Sequence, residues 1–217
     1  MIEEFRGLLS KCSEDQRCQI FEELRKTMPP HPFELRMKAS ADVILEALDR
    51  ASPLSLRGIR GLIAEATFVL EVIPSLAGWQ ALPLVGDFPY DAELKDFVST
   101  ITVQVKMQRQ EKGVPLIRQG TAVVEVQRTR GGKRDGKDTR PYHFGEFDIL
   151  AVCMEPSHSR WNSFLYIPTR WLKPRVKNPD LIHILQSVSL KSDEIWTDNF
   201  DEAIRRLRSE LPRPNSA

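Results

Sequence analysis

Cysteine is scarce in this chain: Cys12, Cys18 and Cys153 are the only three among 217 residues. An odd count does not close a disulfide framework, and the step from Cys12 to Cys18 lacks a second ligand pair at zinc spacing. Reduced thiols are therefore expected, as in the cytoplasm. Long apolar runs are also missing. No stretch approaches the roughly 18 residues a membrane span needs, and the opening Met-Ile-Glu-Glu-Phe lacks the basic start of a secretory signal. The chain reads as cytoplasmic, without a membrane partner. Its 11 glycines form neither a GxGxxG turn nor a Walker loop, which excludes the usual phosphate-cradling nucleotide sites. Internal repeats and low-complexity tracts are lacking too.

What is present is an ordinary globular composition, 41% hydrophobic and 28% charged, large enough for a real core. The net charge of +1 conceals a division. Residues 1 to 100 hold 11 Lys/Arg against 16 Asp/Glu, whereas residues 101 to 217 hold 20 against 14. One half is acidic and the other basic, which suggests a surface facing a polyanion. The basic residues are densest from Arg128 to Arg140, where QRTRGGKRDGKDTR gathers six cations and two Asp in a glycine-containing stretch.

The apolar spacing of residues 2 to 27 predicts a helix, with Ser13 and Gln16 as a capping-box pair. MPPHPF breaks it, because proline cannot continue a helix. A second helix is expected over Ala39 to Arg50. Residues 1 to 55 thus read as a helical N-terminal subdomain, and 56 to 217 as the main domain. Within the latter, the stripe at Ile59, Leu62, Ile63, Ala66, Val69, Leu70 and Ile73 predicts a helix from Leu56 to Ile73 with Glu65 on the stripe's border. Strands are expected near Tyr90 to Leu94, Ile101 to Gln108, Ala122 to Gln127, Glu146 to Met154 and Ser163 to Pro168. A last helix spans about Asn199 to Leu211. A helix followed by a run of strands points to an α/β or α+β domain with a mixed sheet flanked by helices.

Four of these residues combine into a chemical pattern. Gln104 and Lys106 stand two apart in VQVKMQR and so share one strand face. If Asp91 ends the preceding strand of one hairpin, turning near Lys95 to Thr100, its carboxylate lies one strand spacing away. Glu65 can reach in from the helix border. An acid, an amide oxygen and an ammonium together are what phosphodiester hydrolysis needs: oxygen ligands for a divalent metal and a cation beside the phosphate. The same residues also fit a plain edge hairpin with polar side chains facing water, and Glu65 fits a solvated helix carboxylate. Asp148, on an otherwise apolar strand face, fits either support of such a site or a structural bond to a backbone amide.

On the residues Glu65 in RGLIAEATFVLEV, Asp91 in GDFPYD and Gln104-Val105-Lys106 in VQVKMQR, the sequence resembles the PD-(D/E)XK nuclease superfamily, the fold of most type II restriction endonucleases. The likeness runs over residues 57 to 171, including HFGEFDILAVCM and FLYIPTRWL. Gln104 departs from it, standing where most members carry a carboxylate, although Gln occurs in some branches. The resemblance implies a restriction-endonuclease-like core that cuts double-stranded DNA site-specifically with Mg²⁺, Mn²⁺ being a substitute. It further implies that Asp91, Gln104, Glu65 and the Val105 carbonyl hold the metal while Lys106 positions the attacking water.

Base readout needs side chains that reach groove edges. Gln108 and Arg109, just past the catalytic strand, are candidates, as are Gln127, Arg128, Arg130, Lys133, Arg134, Lys137 and Arg140 in the basic segment, with Tyr142 and His143 beside them. Cutting both strands with one site per chain is most simply done by a homodimer. Two other readings stay open: a structure-selective repair or junction nuclease, and a non-catalytic DNA-binding protein on a degenerate nuclease fold.

Overall fold

The computed structural model describes residues 2–128, 140–209 and 212–214, together with the backbone of 133–134 and 137–138. Its chain divides into two compact units, Met1–Leu56 and Arg57–Ala217.

The first unit holds α1 (Ile2–Lys11), α2 (Glu14–Thr27), α3 (Pro32–Met37) and α4 (Ala41–Asp49). The single helix expected over 2 to 27 is two helices. Ser13 does form the capping box with Gln16, but as the start of α2, so the cap interrupts the run. The proline-rich break also contains a helix that the sequence reading missed. His31 caps α3 by accepting from Phe33 N–H, and Pro32 occupies the first turn, where its missing N–H costs nothing. An ion pair of 2.6 Å links Arg25 to Asp42. None of the four helices contains a buried residue.

The second unit begins in α5 (Pro53–Thr67), which passes into a π turn at Phe68–Val72 and a 3-10 turn at Ile73–Ser75. Strands β1 (Gln80–Leu82), β2 (Ala92–Lys95) and β3 (Thr100–Met107) follow. After them come short pieces: β4 (Gln110–Glu111), β5 (Val114–Pro115) and β6 (Ile117–Arg118). Next are β7 (Thr121–Glu125), β8 (Lys133–Arg134), β9 (Lys137–Asp138) and β10 (Ile149–Cys153). The chain continues with α6 (Glu155–His158), β11 (Phe164–Pro168), β12 (Pro174–Arg175), β13 (Asn178–Ile182), β14 (Leu185–Val188) and α7 (Phe200–Arg208).

The main sheet runs β1-β2-β3-β10-β11, and a second sheet runs β14-β7-β6. In the main sheet β3 and β10 are parallel while the other neighbours are antiparallel. The fold is therefore α+β with a mixed sheet. All five residues of β10 are buried, as suits a strand covered on both faces. Val103, Val105, Ala151 and Cys153 face one layer with Ala64 and Phe68 of the α5 segment and Phe200 and Ile204 of α7. Phe68 meets Phe164 edge-on at 5.4 Å. Leu150, Val152 and Leu165 face the opposite layer, with Val124, Trp171 and Trp196. Asp148 sits at the join. Its carboxylate accepts from Thr102 N–H (2.8 Å) and from the Thr102 hydroxyl (2.9 Å), a structural clamp between β3 and β10.

Candidate active site

The hairpin of β2 and β3 sets the geometry. Asp96 closes its turn by accepting from Val98 and Ser99 N–H groups. The register pairs Ala92 with Val103, so Asp91, one residue before β2, lies opposite Gln104, and its N–H donates to the Val103 carbonyl at 2.9 Å. Period-2 alternation sends Ala92 and Val103 into the helix-covered core and turns Asp91, Gln104 and Lys106 to the other face.

Asp91 Oδ2 accepts from Val105 N–H at 2.8 Å and from the Gln104 amide NH₂. The same NH₂ group lies 3.1 Å from the Val105 carbonyl. On its other side Gln104 Oε1 accepts from the Tyr142 hydroxyl at 3.2 Å. Turning the amide over would set its oxygen against a carboxylate and a carbonyl, so the hydrogen-bond network fixes the orientation. The side-chain oxygen of Gln104, expected at the metal, instead faces Tyr142. Gln104 is 2% exposed and Tyr142 4%.

Glu65 and Lys106 complete the cluster. Burial pushes the Glu65 carboxyl up to about 7, with the Asp91 charge adding to the effect and Lys106 opposing it. Asp91 is also raised, first by burial, while Lys106, the Val105 N–H and Gln104 pull it back. Lys106 is lowered by burial, against the pull of Asp91, Glu65 and Glu125. Its ammonium lies 5.6 Å from the centre of the Tyr142 ring, near enough for a cation–π contact. Two carboxylates and one ammonium thus share a poorly hydrated space beside β2 and β3. Among the described residues no three His, Cys, Asp or Glu side chains gather as a metal site. A cation here would draw on main-chain and amide oxygens as well.

Where their side chains are described, the expected DNA contacts divide into three groups. Gln108 and Tyr142 are interior. Gln108 is 2% exposed, with both polar side-chain atoms lacking a hydrogen-bond partner, so neither residue presents a group to a groove. The half-buried Arg109, Gln127 and Arg128 are engaged by carboxylates: Arg109 with Glu125 at 3.1 Å, Gln127 with Glu125, and Arg128 with Glu146 at 2.6 Å. The Arg128 guanidinium also lies 5.3 Å from the Tyr142 ring centre. Arg140 and His143 are exposed; the Arg140 Nε–H reaches the Arg128 carbonyl at 3.4 Å. Lys133, Arg134 and Lys137 lie on the small β8–β9 hairpin, described in backbone only, and Arg130 lies outside the described residues.

The sequence reading missed the Tyr142–Gln104 bond and the part of Glu125 and Glu146. The only signal for the two acids was their position beside a basic segment, where a carboxylate finds a guanidinium at hand.

No protein family and no curated protein matches the sequence. Among solved structures, the chain is similar to the bacterial homing endonuclease I-Ssp6803I at 23% identity, over 63% of this chain and 80% of that one, with a TM-score of 0.41. No described helix is long and apolar enough to cross a membrane.

Proposed function

We propose that the unit from Arg57 onward is a Mg²⁺-dependent, site-specific double-stranded DNA endonuclease of the type II restriction kind, acting as a homodimer. The observation that carries this reading is the cluster itself. Burial, with the Asp91 charge adding to it, pushes the Glu65 carboxyl up to about 7, and the Lys106 charge acts on both carboxyls. Edge-hairpin residues facing water would not be desolvated in this way, and a buried like-charge pair with a cation is costly unless a ligand uses it.

A hard cation fits this donor set. One NH₂ group touches both Asp91 Oδ2 and the Val105 carbonyl, so two oxygens converge on a single point. Asp91, the Val105 carbonyl, Glu65 and, once turned, the Gln104 amide oxygen would hold Mg²⁺ or its substitute Mn²⁺. When bound, the ion offsets phosphate charge and acidifies a water ligand. The chain's own part is to keep that space dry and to direct Lys106 at the attacking water, where its charge also balances the phosphorane. The β8–β9 hairpin and the residues around it supply the cationic surface for DNA. Twofold symmetry of the dimer would match a palindromic or near-palindromic site.

One observation favours a second reading, a DNA-binding protein without catalysis: the Gln104 NH₂ group already satisfies the two oxygens a metal would take. A single experiment separates them. Linear and plasmid DNA are incubated with the protein and Mg²⁺, and discrete fragments are expected. Asp91→Ala and Lys106→Ala are expected to abolish cutting while DNA affinity stays within about tenfold. Cleavage by Asp91→Ala at the parent rate would overturn the assignment. Binding of DNA without Mg²⁺-dependent cutting by the parent would leave the second reading standing.

A further inference from the structure

Gln104 is a buried neutral group at the centre of this cluster, and its orientation bears on the cation. Its amide has no water to turn to, so its hydrogen bonds are made within the protein or not at all. The NH₂ end takes Asp91 Oδ2 and the Val105 carbonyl. The oxygen end takes the Tyr142 hydroxyl at 3.2 Å. Tyr142 is itself held firmly. Its ring meets Phe147 edge-on at 5.3 Å and carries the Lys106 and Arg128 cations within 5.6 Å and 5.3 Å of its centre. Its hydroxyl is therefore aimed by packing rather than by choice of rotamer.

We propose that Tyr142 is a positioning residue that latches the Gln104 amide with its NH₂ group in the place of the cation, so that cation binding requires the amide to turn over. This deepens the endonuclease reading and rests on it. An NH₂ group and a cation compete for the same two oxygens, so both cannot be served at once. Rotation about the last side-chain bond offers the amide oxygen to the cation and the NH₂ group to Tyr142. A tyrosine hydroxyl both donates and accepts, so it can serve either orientation. It serves them unequally. In the latched state its hydrogen lies on the Gln104 oxygen, whereas in the turned state that hydrogen loses this acceptor inside a buried site. Tyr142 therefore biases the amide toward the latched state and weakens cation binding.

Replacing Tyr142 with Phe should then tighten cation binding by about two- to tenfold, the net worth of one hydrogen bond. In a Gln104→Glu background the sign should reverse. A carboxylate has no NH₂ end to latch, and the tyrosine now donates to the ligand itself, so Tyr142→Phe should leave affinity unchanged or lower it. Mn²⁺ affinity is read by electron paramagnetic resonance on the full chain without DNA. An equal effect of Tyr142→Phe in both backgrounds would overturn the latch while leaving the cation site intact. Failure of both the parent and Gln104→Glu to bind Mn²⁺ would remove the cation site, and the latch with it. The unsubstituted protein gives an independent readout. With ¹⁵N-labelled glutamine, the Gln104 side-chain NH₂ protons should gain cross-relaxation to the Tyr142 ring when Mg²⁺ is added. An unchanged pattern at saturating Mg²⁺ would refute the rotation.

Discussion

Glu65→Gln should stabilise the cation-free protein, and by an amount that depends on pH in one direction only. An unfolded chain ionises Glu65 near 4.5, but in the folded protein burial and Asp91 hold it back until about 7. Between these values the unfolded state releases a proton that the folded state keeps, so folding loses stability as pH rises through that window and stays at the reduced level above it. A displacement of that size corresponds to about 3 kcal/mol at full effect. Because Glu65 is half-buried, solvent screens part of it, and about 2 kcal/mol is the expected cost at about pH 8. Glutamine keeps the shape and removes the charge. The variant should therefore be more stable than the parent by about 2 kcal/mol at about pH 8 and nearly equal at about pH 4, where Glu65 is protonated in both states. Urea denaturation followed by tryptophan fluorescence, with chelator present, measures both. A stability difference that is the same at the two pH values would refute the placement of Glu65 in a desolvated space beside Asp91.

Three further outcomes test other parts of the molecule. Phe68→Ala, which empties the contact between the α5 segment and Phe164, Tyr166 and Phe200, should cost about 3–5 kcal/mol in the same urea assay; a loss under about 1 kcal/mol would mean this face is loosely packed. Asp148→Ala should cost about 1–3 kcal/mol by stranding the Thr102 N–H yet leave Mn²⁺ affinity unaltered, and a changed affinity would move Asp148 from clamp to cation site. Lys133→Gln with Lys137→Gln should weaken DNA binding of all sequences alike and flatten its salt dependence by about 0.9 in log–log slope for each phosphate no longer neutralised; an unaltered slope would place the phosphate-binding cations elsewhere.

The longest apolar patterns were legible without the structure. The 3.6-residue stripe marked the helix that became α5 but not its buried face: Leu62, Ile63, Val69 and Leu70 of the stripe are exposed, while Ala64, Thr67 and Phe68 are buried. Alternation marked β3 closely enough to set Gln104 and Lys106 on one face. The apolar run of β10 was legible as a strand, and the structure shows all five of its residues buried. The short strands β12, β13 and β14 were not legible, since Pro174, Pro179 and polar neighbours interrupt any period. The larger failure was of another kind. Alternation tells which face a side chain is on, but not whether a second layer covers that face. Gln104 and Lys106 were open to reading as a wet strand face and Gln108 as a groove contact, yet Gln108 is buried with its backbone bridged to Val124 of β7, and the buried Tyr142 bonds Gln104. Arg128 and Arg109 read as free cations for the same reason: the pairing of Glu146 and Glu125 with them is a fact of tertiary structure.

The π turn after α5 sets the angular phase of Glu65 on the helix before it. Ile73 N–H bonds back five residues to the Phe68 carbonyl rather than four, so the turn holds one residue more than a regular helix would. A residue of phase is about 100°. Val72 at the end of the turn and Ile73 just after it are buried in the core, while Glu65 stands upstream. Removing one residue within 68–72 would let the helix run regularly from those anchors and swing Glu65 by more than a quarter of a circle, away from Asp91. The aim of this carboxylate is thus stored in the residue count of a backbone irregularity. Substitutions that preserve the count keep the aim, and a one-residue deletion loses it even if every side chain at the site is intact.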